Sequence, residues 1–216
     1  MKQLGLELIT EKEAINVSRS TEQLNAPVTF IKGFLTNGQQ KLLLKESLTY
    51  PFEQPVITVF GKQHPIPRSK VWFADSGCAY RYSSLLITPT PWPQGLMSLR
   101  KLLYQQFNIE TNGVLVNRYQ NGFDSMGWHS DDEPEIETNS DIVSISLGAT
   151  RSFVLRHKLT QAKQVFELQS GDMLIMHGDM QQKWQHSVPK RVKVLEPRIN
   201  LTFRKLIVGF HEKISP

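Results

Sequence analysis

The segment DIVSISLGAT, Asp141–Thr150, alternates Val143, Ile145 and Leu147 with Ser144 and Ser146. A period of two sends successive side chains to opposite faces of a strand, here one apolar face and one bearing hydroxyls. The same rhythm starts at GVLVNRYQ (Gly113–Gln120) and returns in SFVLRHK (152–158), QVFEL (164–168), MLIMHGD (173–179) and RINLTFRKLIVG (198–209), with a turn at QSGD (169–172). Several short strands at this spacing argue for a β-sandwich or jelly roll.

Upstream the pattern differs. GQQKLLLKESL (38–48) and LMSLRKLLYQQF (96–107) read as helices, and PVITVFGK (55–62) reads as a strand after a proline-marked stretch. The first 25 residues are polar and are expected to be loosely held. The expectation is a mainly β protein with α (α+β). After an extension at 1–25, a helical part (26–110) backs onto a β-rich part (111–216), the two forming one continuous unit from residue 26.

The chain has 216 residues, enough to bury a full core, and no repeats. It has no run of about 18 apolar residues that would cross a membrane. One cysteine, Cys78, excludes an intrachain disulfide and fits a reducing compartment. MKQLGLELITEKEA at the start carries no continuous apolar segment of the signal-peptide kind. A cytoplasmic protein is expected, nuclear if the source is eukaryotic, with no membrane partner and acting as a monomer. The net charge of +5 is a weak pointer to a polyanion. Its distribution says more: residues 1–110 hold 12 Lys/Arg against 8 Asp/Glu, and residues 111–216 hold 13 against 12. A phosphate backbone would meet mainly the first half.

Acid nevertheless gathers in GWHSDDEPE, Gly127–Glu135. His129 and Asp131 are two apart, so on an extended strand they leave one face as two cis ligands for a metal. WQHSVPK offers His186 on a segment able to return beside them. Two imidazoles and one carboxylate on one side of a metal leave the other positions open, as in non-haem Fe(II) oxygenases. Structural zinc asks for closed, often cysteine-rich ligation. A His-x-Asp pair alone is weak, since the bland reading of such a histidine is a solvated side chain.

PRINLTFR adds weight. Arg198, Asn200, Thr202 and Arg204 share one face, opposite Ile199, Leu201 and Phe203. The outer Cα atoms stand about 20 Å apart at ~3.3 Å per residue, so two long guanidinium side chains leaning inward suit a short dicarboxylate. A plain solvent-facing strand reads the same way. NRYQ supplies Asn117 and Tyr119, also on one face, as further donors or, for Tyr119, a core aromatic.

Taken together, NRYQNGFDSMGWHSDDE, SISLGATRSFVLRHK, SGDMLIMHGDMQQKWQHSVP and PRINLTFRK resemble the AlkB-like family of Fe(II)/2-oxoglutarate dioxygenases, and its nucleic-acid (DNA-repair) demethylases in particular. The resemblance runs from about Pro55 to Ile207. It implies a double-stranded β-helix (jelly roll) core with a nucleotide-recognition lid, and Fe(II), 2-oxoglutarate and O2 as cofactor and co-substrates. It implies His129, Asp131 and His186 as iron ligands, and Asn117, Tyr119, Arg198, Asn200, Thr202 and Arg204 around 2-oxoglutarate. Arg198 would take the distal carboxylate and Arg204 the keto-acid end.

By the same resemblance Asp132 and Glu133 face a flipped base, Phe60 fills the gap it leaves, and Tyr80 and Tyr82 stack beside it. Arg68, Lys62 and Lys70 contact phosphates or the pocket. Glu135, Glu137 and Asp141 are left as a solvated loop. The implied reaction removes N-alkyl groups from bases such as 1-methyladenine and 3-methylcytosine in DNA, with RNA as a further substrate. In it, 2-oxoglutarate yields succinate and CO2, and the methyl group leaves as formaldehyde. The short RHKLTQAKQVFEL segment points to a smaller DNA-gripping loop. Two readings stay open beside this one: an oxygenase of the same family acting on a non-nucleic-acid substrate, and a non-catalytic binding module on the same fold.

Overall fold

The computed structural model describes residues 26–59, 61–82 and 85–212. The expected extension at 1–25 lies outside them. In chain order come β1 (Val28–Ile31), α1 (Asn37–Ser47), β2 (Val56–Val59), β3 (Lys62–Pro65) and β4 (Ser69–Ala74). Next are β5 (Tyr80–Tyr82), β6 (Leu85–Ile87), α2 (Gln94–Phe107), β7 (Gly113–Tyr119) and β8 (Met126–His129). The remainder is β9 (Ile142–Gly148), β10 (Arg151–His157), β11 (Lys163–Leu168), β12 (Met173–Met176), α3 (Met180–Lys183), β13 (Trp184–Val188) and β14 (Arg198–Arg204).

Two antiparallel sheets face each other in a jelly roll. The major sheet runs β1-β12-β9-β14-β7-β4 and the minor sheet β11-β10-β13-β8. Hairpins β2–β3 and β5–β6 form small sheets of their own. Every residue of β14 is buried, because the strand sits mid-sheet with both faces covered. Its odd face, Ile199, Leu201 and Phe203, packs with Val114, Val143 and Ile145 against Leu43 of α1 and Leu96, Leu99 and Leu103 of α2. Burial of each such side chain stabilises the fold by roughly 1.5–3 kcal/mol. A second apolar cluster fills the space between the sheets, with Phe153, Leu155, Met176, Trp184 and Val188. The even face of β14 looks into that space too, and its register is what builds the site. Asn200 lies opposite Asn117 and Ser146, Arg198 opposite Tyr119 and Gly148, and Thr202 opposite Leu115 and Ser144.

Both long helices begin earlier than their apolar spacing suggests. Thr36 caps α1 in a capping box with Gln39, and Pro93 stands at the N-cap of α2. The α2 helix closes on Asn108 in the left-handed region at φ 55°. The single strand expected at 55–62 is instead the hairpin β2–β3, which turns through Gly61 at φ 75°. β14 stops at Arg204 rather than running on to residue 209.

The part from 26 to 110 is not helical throughout. β1 pairs with β12 and β4 with β7, so the first half supplies both outer strands of the major sheet. Backbone groups along an open sheet edge require partners, and these two strands provide them. No helix among the described residues is long and apolar enough to cross a membrane.

One close contact tests this packing. A methyl group at Gly113 would collide with the Trp72 ring, which is fully buried and whose Nε1 donates to the Cys78 carbonyl at 2.8 Å. Gly113→Ala is expected to cost about 1–3 kcal/mol by overpacking. Urea denaturation reads this directly, and an unchanged midpoint would contradict the contact.

Candidate active site

β8 ends on His129, and β13 runs antiparallel to it with His186 directly opposite His129. The return of the second histidine beside the first is thus a matter of strand register. Asp131 lies just beyond the end of β8, where its backbone N–H donates to Gln181 Oε1 at 3.0 Å. The sequence places His129 and Asp131 on one strand; here the strand stops first, and the Gln181 contact holds the aspartate on the same side. One ligand atom from each of His129, Asp131 and His186 lies within 4.8 Å of the others. His129 Nε2 and His186 Nε2 stand 3.6 Å and 3.9 Å from Asp131 Oδ1. His129 Nδ1 is 3.0 Å from the Gly127 carbonyl, which can only accept, so Nδ1 carries the hydrogen and Nε2 presents its lone pair. The His186 ring stacks on Phe153 at 5.2 Å.

Protonation is set by burial and by one ion pair. Burial alone would raise Asp131, but Arg204, with the two histidines, outweighs it and holds the carboxyl down at about 2. Arg204 Nη2 sits 2.8 Å from Asp131 Oδ1, and both side chains are buried. Burial pushes His186 down to about 3, with His129 adding to the effect, and it lowers His129 as well. Near neutral pH the cluster is therefore one carboxylate and two neutral imidazoles, the state a divalent cation requires.

The even face of β14 continues inward from there. Asn200 Nδ2 donates to Ser144 Oγ at 2.8 Å, and Thr202 Oγ1 donates to Asn200 Oδ1 at 3.2 Å. Asn117 Oδ1 accepts from Arg68 Nε at 2.8 Å. Arg198 lies over the Tyr119 ring at 5.3 Å and gives Nη2 to Ser146 Oγ at 2.9 Å. Burial lowers Arg198 to about 10, with Tyr119 opposing.

Nε and Nη1 of both Arg198 and Arg204 have no hydrogen-bond partner among the described residues. An unpaired buried guanidinium donor is costly, so these four atoms fit an anion with acid groups at two ends. His129, Asp131 and His186 could hold a metal, and the two arginines with Asn117, Tyr119, Asn200 and Thr202 could hold a dicarboxylate. The donor set therefore suits the group that the sequence resemblance implies.

The neighbouring wall separates two acids that sequence reading treats together. Glu133 faces the pocket and accepts from the Tyr80 hydroxyl at 2.6 Å. Burial raises its pKa, and Arg204 opposes the rise. Asp132 points the other way, is more than half exposed, and lies 3.6 Å from Lys158. Adjacent residues of an extended chain face opposite directions, so of these two acids only Glu133 faces this pocket.

Tyr80 is both a packed ring, 5.3 Å from Trp72, and a pocket hydroxyl. Arg68 is buried in the pocket wall. Lys70 is buried as well, 5.8 Å from the Tyr80 ring. Its pKa is lowered to about 7 by burial and by Arg68 and Arg204. Phe60 lies outside the described residues, as do the side chains of Tyr82 and Lys62.

The loop expected to be solvated is solvated only in part. Glu137 is exposed, Asp141 bonds His177 Nδ1 at 3.2 Å, and Glu135 is fully buried. Sequence reading also missed Ser144 and Ser146, although their alternation marks them, and Gln181, for which no local pattern exists.

Comparison with known proteins agrees with this geometry. The model of the 2OG-Fe(II) oxygenase superfamily matches residues 27–204. DNA oxidative demethylase ALKBH2 of Mus musculus is 40% identical over 159 residues, covering 70% of this chain and 66% of that protein. The Homo sapiens protein of the same name is 40% identical over 160 residues, covering 70% and 61%. Alpha-ketoglutarate-dependent dioxygenase alkB homolog 3 of Bos taurus is 40% identical over 148 residues, covering 64% and 51%. The chain thus spans between half and two thirds of the length of these relatives. A solved structure titled "The structure of OsALKBH1" superposes with TM-score 0.57 at 19% identity, covering 85% of this chain and all of that one, and supports the fold.

The chain belongs to the 2OG-Fe(II) oxygenase superfamily and, within it, to the AlkB-like proteins. That membership brings Fe(II), 2-oxoglutarate and O2 as the cofactor set.

The buried histidine gives a pH dependence. The folded value of His186, about 3, lies below its ordinary 6.5, so the unfolded chain takes up the proton first. Its stability contribution is complete above 6.5 and is lost as pH falls toward 3. The loss in metal-free protein should approach ~1.4 kcal/mol per pH unit. Urea unfolding at several pH values across that window measures it, and His186→Gln should remove one proton's share of the slope.

Proposed function

We propose that this chain oxidatively removes N-alkyl groups from bases such as 1-methyladenine and 3-methylcytosine in DNA. The observation that carries this is a single pocket holding both the His129–Asp131–His186 cluster and the half-buried carboxylate of Glu133. The names of the ALKBH2 relatives support the choice of substrate.

His129, Asp131 and His186 would hold Fe(II). Arg204, already paired with Asp131, orients that carboxylate and keeps two further donors for the keto-acid end of 2-oxoglutarate. Arg198, on the Tyr119 ring, offers its two open donors to the distal carboxylate, with Asn117, Asn200 and Thr202 beside it. When bound, Fe(II) with 2-oxoglutarate and O2 supplies the oxidising chemistry, releasing succinate and CO2 and delivering the methyl carbon as formaldehyde. Phe153, Met126 and Val188 line the pocket with apolar surface, which limits water near the reacting carbon.

Glu133 receives the base. Methylation at N1 of adenine or N3 of cytosine makes the ring cationic, and a carboxylate raised by burial gains more from such a ring than from a neutral one. The Tyr80 hydroxyl fixes the Glu133 oxygen that would face the exocyclic amine. A base must leave its stack to reach this depth, and Tyr82 and Phe60 are our choices for stacking and for filling the gap. We read residues 26–110 as the part carrying the lid and 111–216 as the catalytic core. The protein is proposed to work as a monomer in the cytoplasm, or in the nucleus of a eukaryotic cell.

The test is anaerobic loading with Fe(II) and 2-oxoglutarate, then O2, with mass analysis of alkylated DNA and RNA oligonucleotides. Loss of 14 mass units per methyl with formaldehyde release is the expected result on DNA, about one methylene per lesion. Turnover of 2-oxoglutarate with no change in any oligonucleotide would move the substrate elsewhere. His129→Ala and Asp131→Ala should abolish demethylation and iron loading, and turnover kept by either removes the triad. Arg198→Ala should raise the 2-oxoglutarate requirement about tenfold or more, the worth of a charge-assisted hydrogen bond of ~1.5–3 kcal/mol. An unchanged requirement would show that the distal carboxylate sits elsewhere.

A further inference from the structure

Glu135 is fully buried although it belongs to an acidic loop. Its Oε1 accepts the backbone N–H of Arg81 at 2.6 Å and lies 3.4 Å from His211 Nε2, while Oε2 has no partner among the described residues. The peptide of the same residue accepts from Ile207 N at 2.8 Å, so one residue meets the lid strand β5 and the C-terminal turn together. A carboxylate in such a place costs stability, and an apolar side chain would fill the space at less expense in desolvation.

What it holds is informative. Among the described residues β5 pairs only with β6, and a lone two-stranded hairpin is marginally stable by itself. Two hydrogen bonds tie residues 80 and 81 of that strand to the loop after Asp131: the Tyr80 hydroxyl to Glu133, and the Arg81 N–H to Glu135. Both are 2.6 Å long. Glu133 and Glu135 stand in a turn closed by the Ile136 N–H on the Glu133 carbonyl at 3.0 Å, and both side chains reach the lid strand. The clasp therefore fixes where Tyr80 stands relative to Glu133, the distance on which a base between lid and acid depends.

We propose that Glu135 is a positioning residue for the base pocket: by holding the Arg81 N–H it seats the β5 lid strand against Glu133 and so sets affinity for the alkylated base, without touching base, metal or 2-oxoglutarate. This rests on the reading of the pocket as a base site. Glu135→Gln keeps an acceptor oxygen for Arg81, and Glu135→Ala removes it. Arg81→Pro removes the donor, from a strand whose N–H at that position points out of the ladder and tolerates proline, and Arg81→Leu, which keeps the N–H and should stay near wild type, accounts for the lost guanidinium.

Three readouts on the full chain separate the possibilities. They are deuterium uptake at residues 80–82, KM and kcat on a methylated oligonucleotide, and 2-oxoglutarate turnover without nucleic acid. Glu135→Ala should exchange faster at residues 80–82 and Arg81→Pro at 80 and 82, and both should raise KM about tenfold, with kcat and oligonucleotide-free turnover within about twofold of wild type; Gln should stay near wild type. A folded Ala variant with unchanged KM overturns the proposal, and so does a fall in oligonucleotide-free turnover that matches the KM effect, or a Gln variant as impaired as Ala. If Ala does not fold, the Pro variant decides by the same criteria. If the wild type leaves every oligonucleotide unaltered, the functional reading fails, and unchanged exchange at 80–82 would then separately overturn the clasp.

Discussion

The Arg204–Asp131 ion pair, closed at 2.8 Å inside the roll, is the contact around which the rest is arranged. Charges out of water persist only where each is answered, and here the answering groups come from β14 and from the loop after β8. The pair keeps Asp131 ionised against burial and fixes which oxygen faces the two imidazoles. It also dictates the strand's position. Arg204 can reach that loop only from the even face of a central strand, so β14 must be covered on both sides, with helices on one face and the minor sheet opposite the other.

Much of this was legible in the sequence because the signals are local. Period-two alternation marks β7, β9 and β14, and the same alternation sorts the polar face of PRINLTFR from its apolar face. What the pattern alone leaves open is whether the polar face meets solvent. Only pairing with β7 and β9 decides that, and those partners lie 50 or more residues away in the chain. The major sheet's outer strands, β1 and β4, were illegible for the same reason: four to six residues carry too little periodicity to announce a partner 39–49 positions distant, as with β4 and β7, or more than 140, as with β1 and β12.

The site shows the same boundary between local and non-local. His129, Asp131 and His186 are recognisable by type and spacing, and the opposite facing of Asp132 and Glu133 follows from their adjacency alone. The burial of Glu135 does not, since it depends on the Arg81 N–H, 54 residues away. Gln181, which holds the Asp131 backbone from 50 residues further on, had no motif to reveal it. Side chains that touch a reacting group tend to carry a signature, whereas those that hold such side chains in place are defined by topology.

The four open guanidinium donors beside a carboxylate and two neutral imidazoles have a thermodynamic corollary. A ferrous ion adds two positive units to this interior and a keto-diacid adds two negative ones, so the complete set leaves the roll's internal charge where it started. Either guest alone strands two units in a poorly polarisable medium. Their free energies of entry are therefore not independent: each improves the other's equilibrium constant, and by reciprocity both gain the same factor.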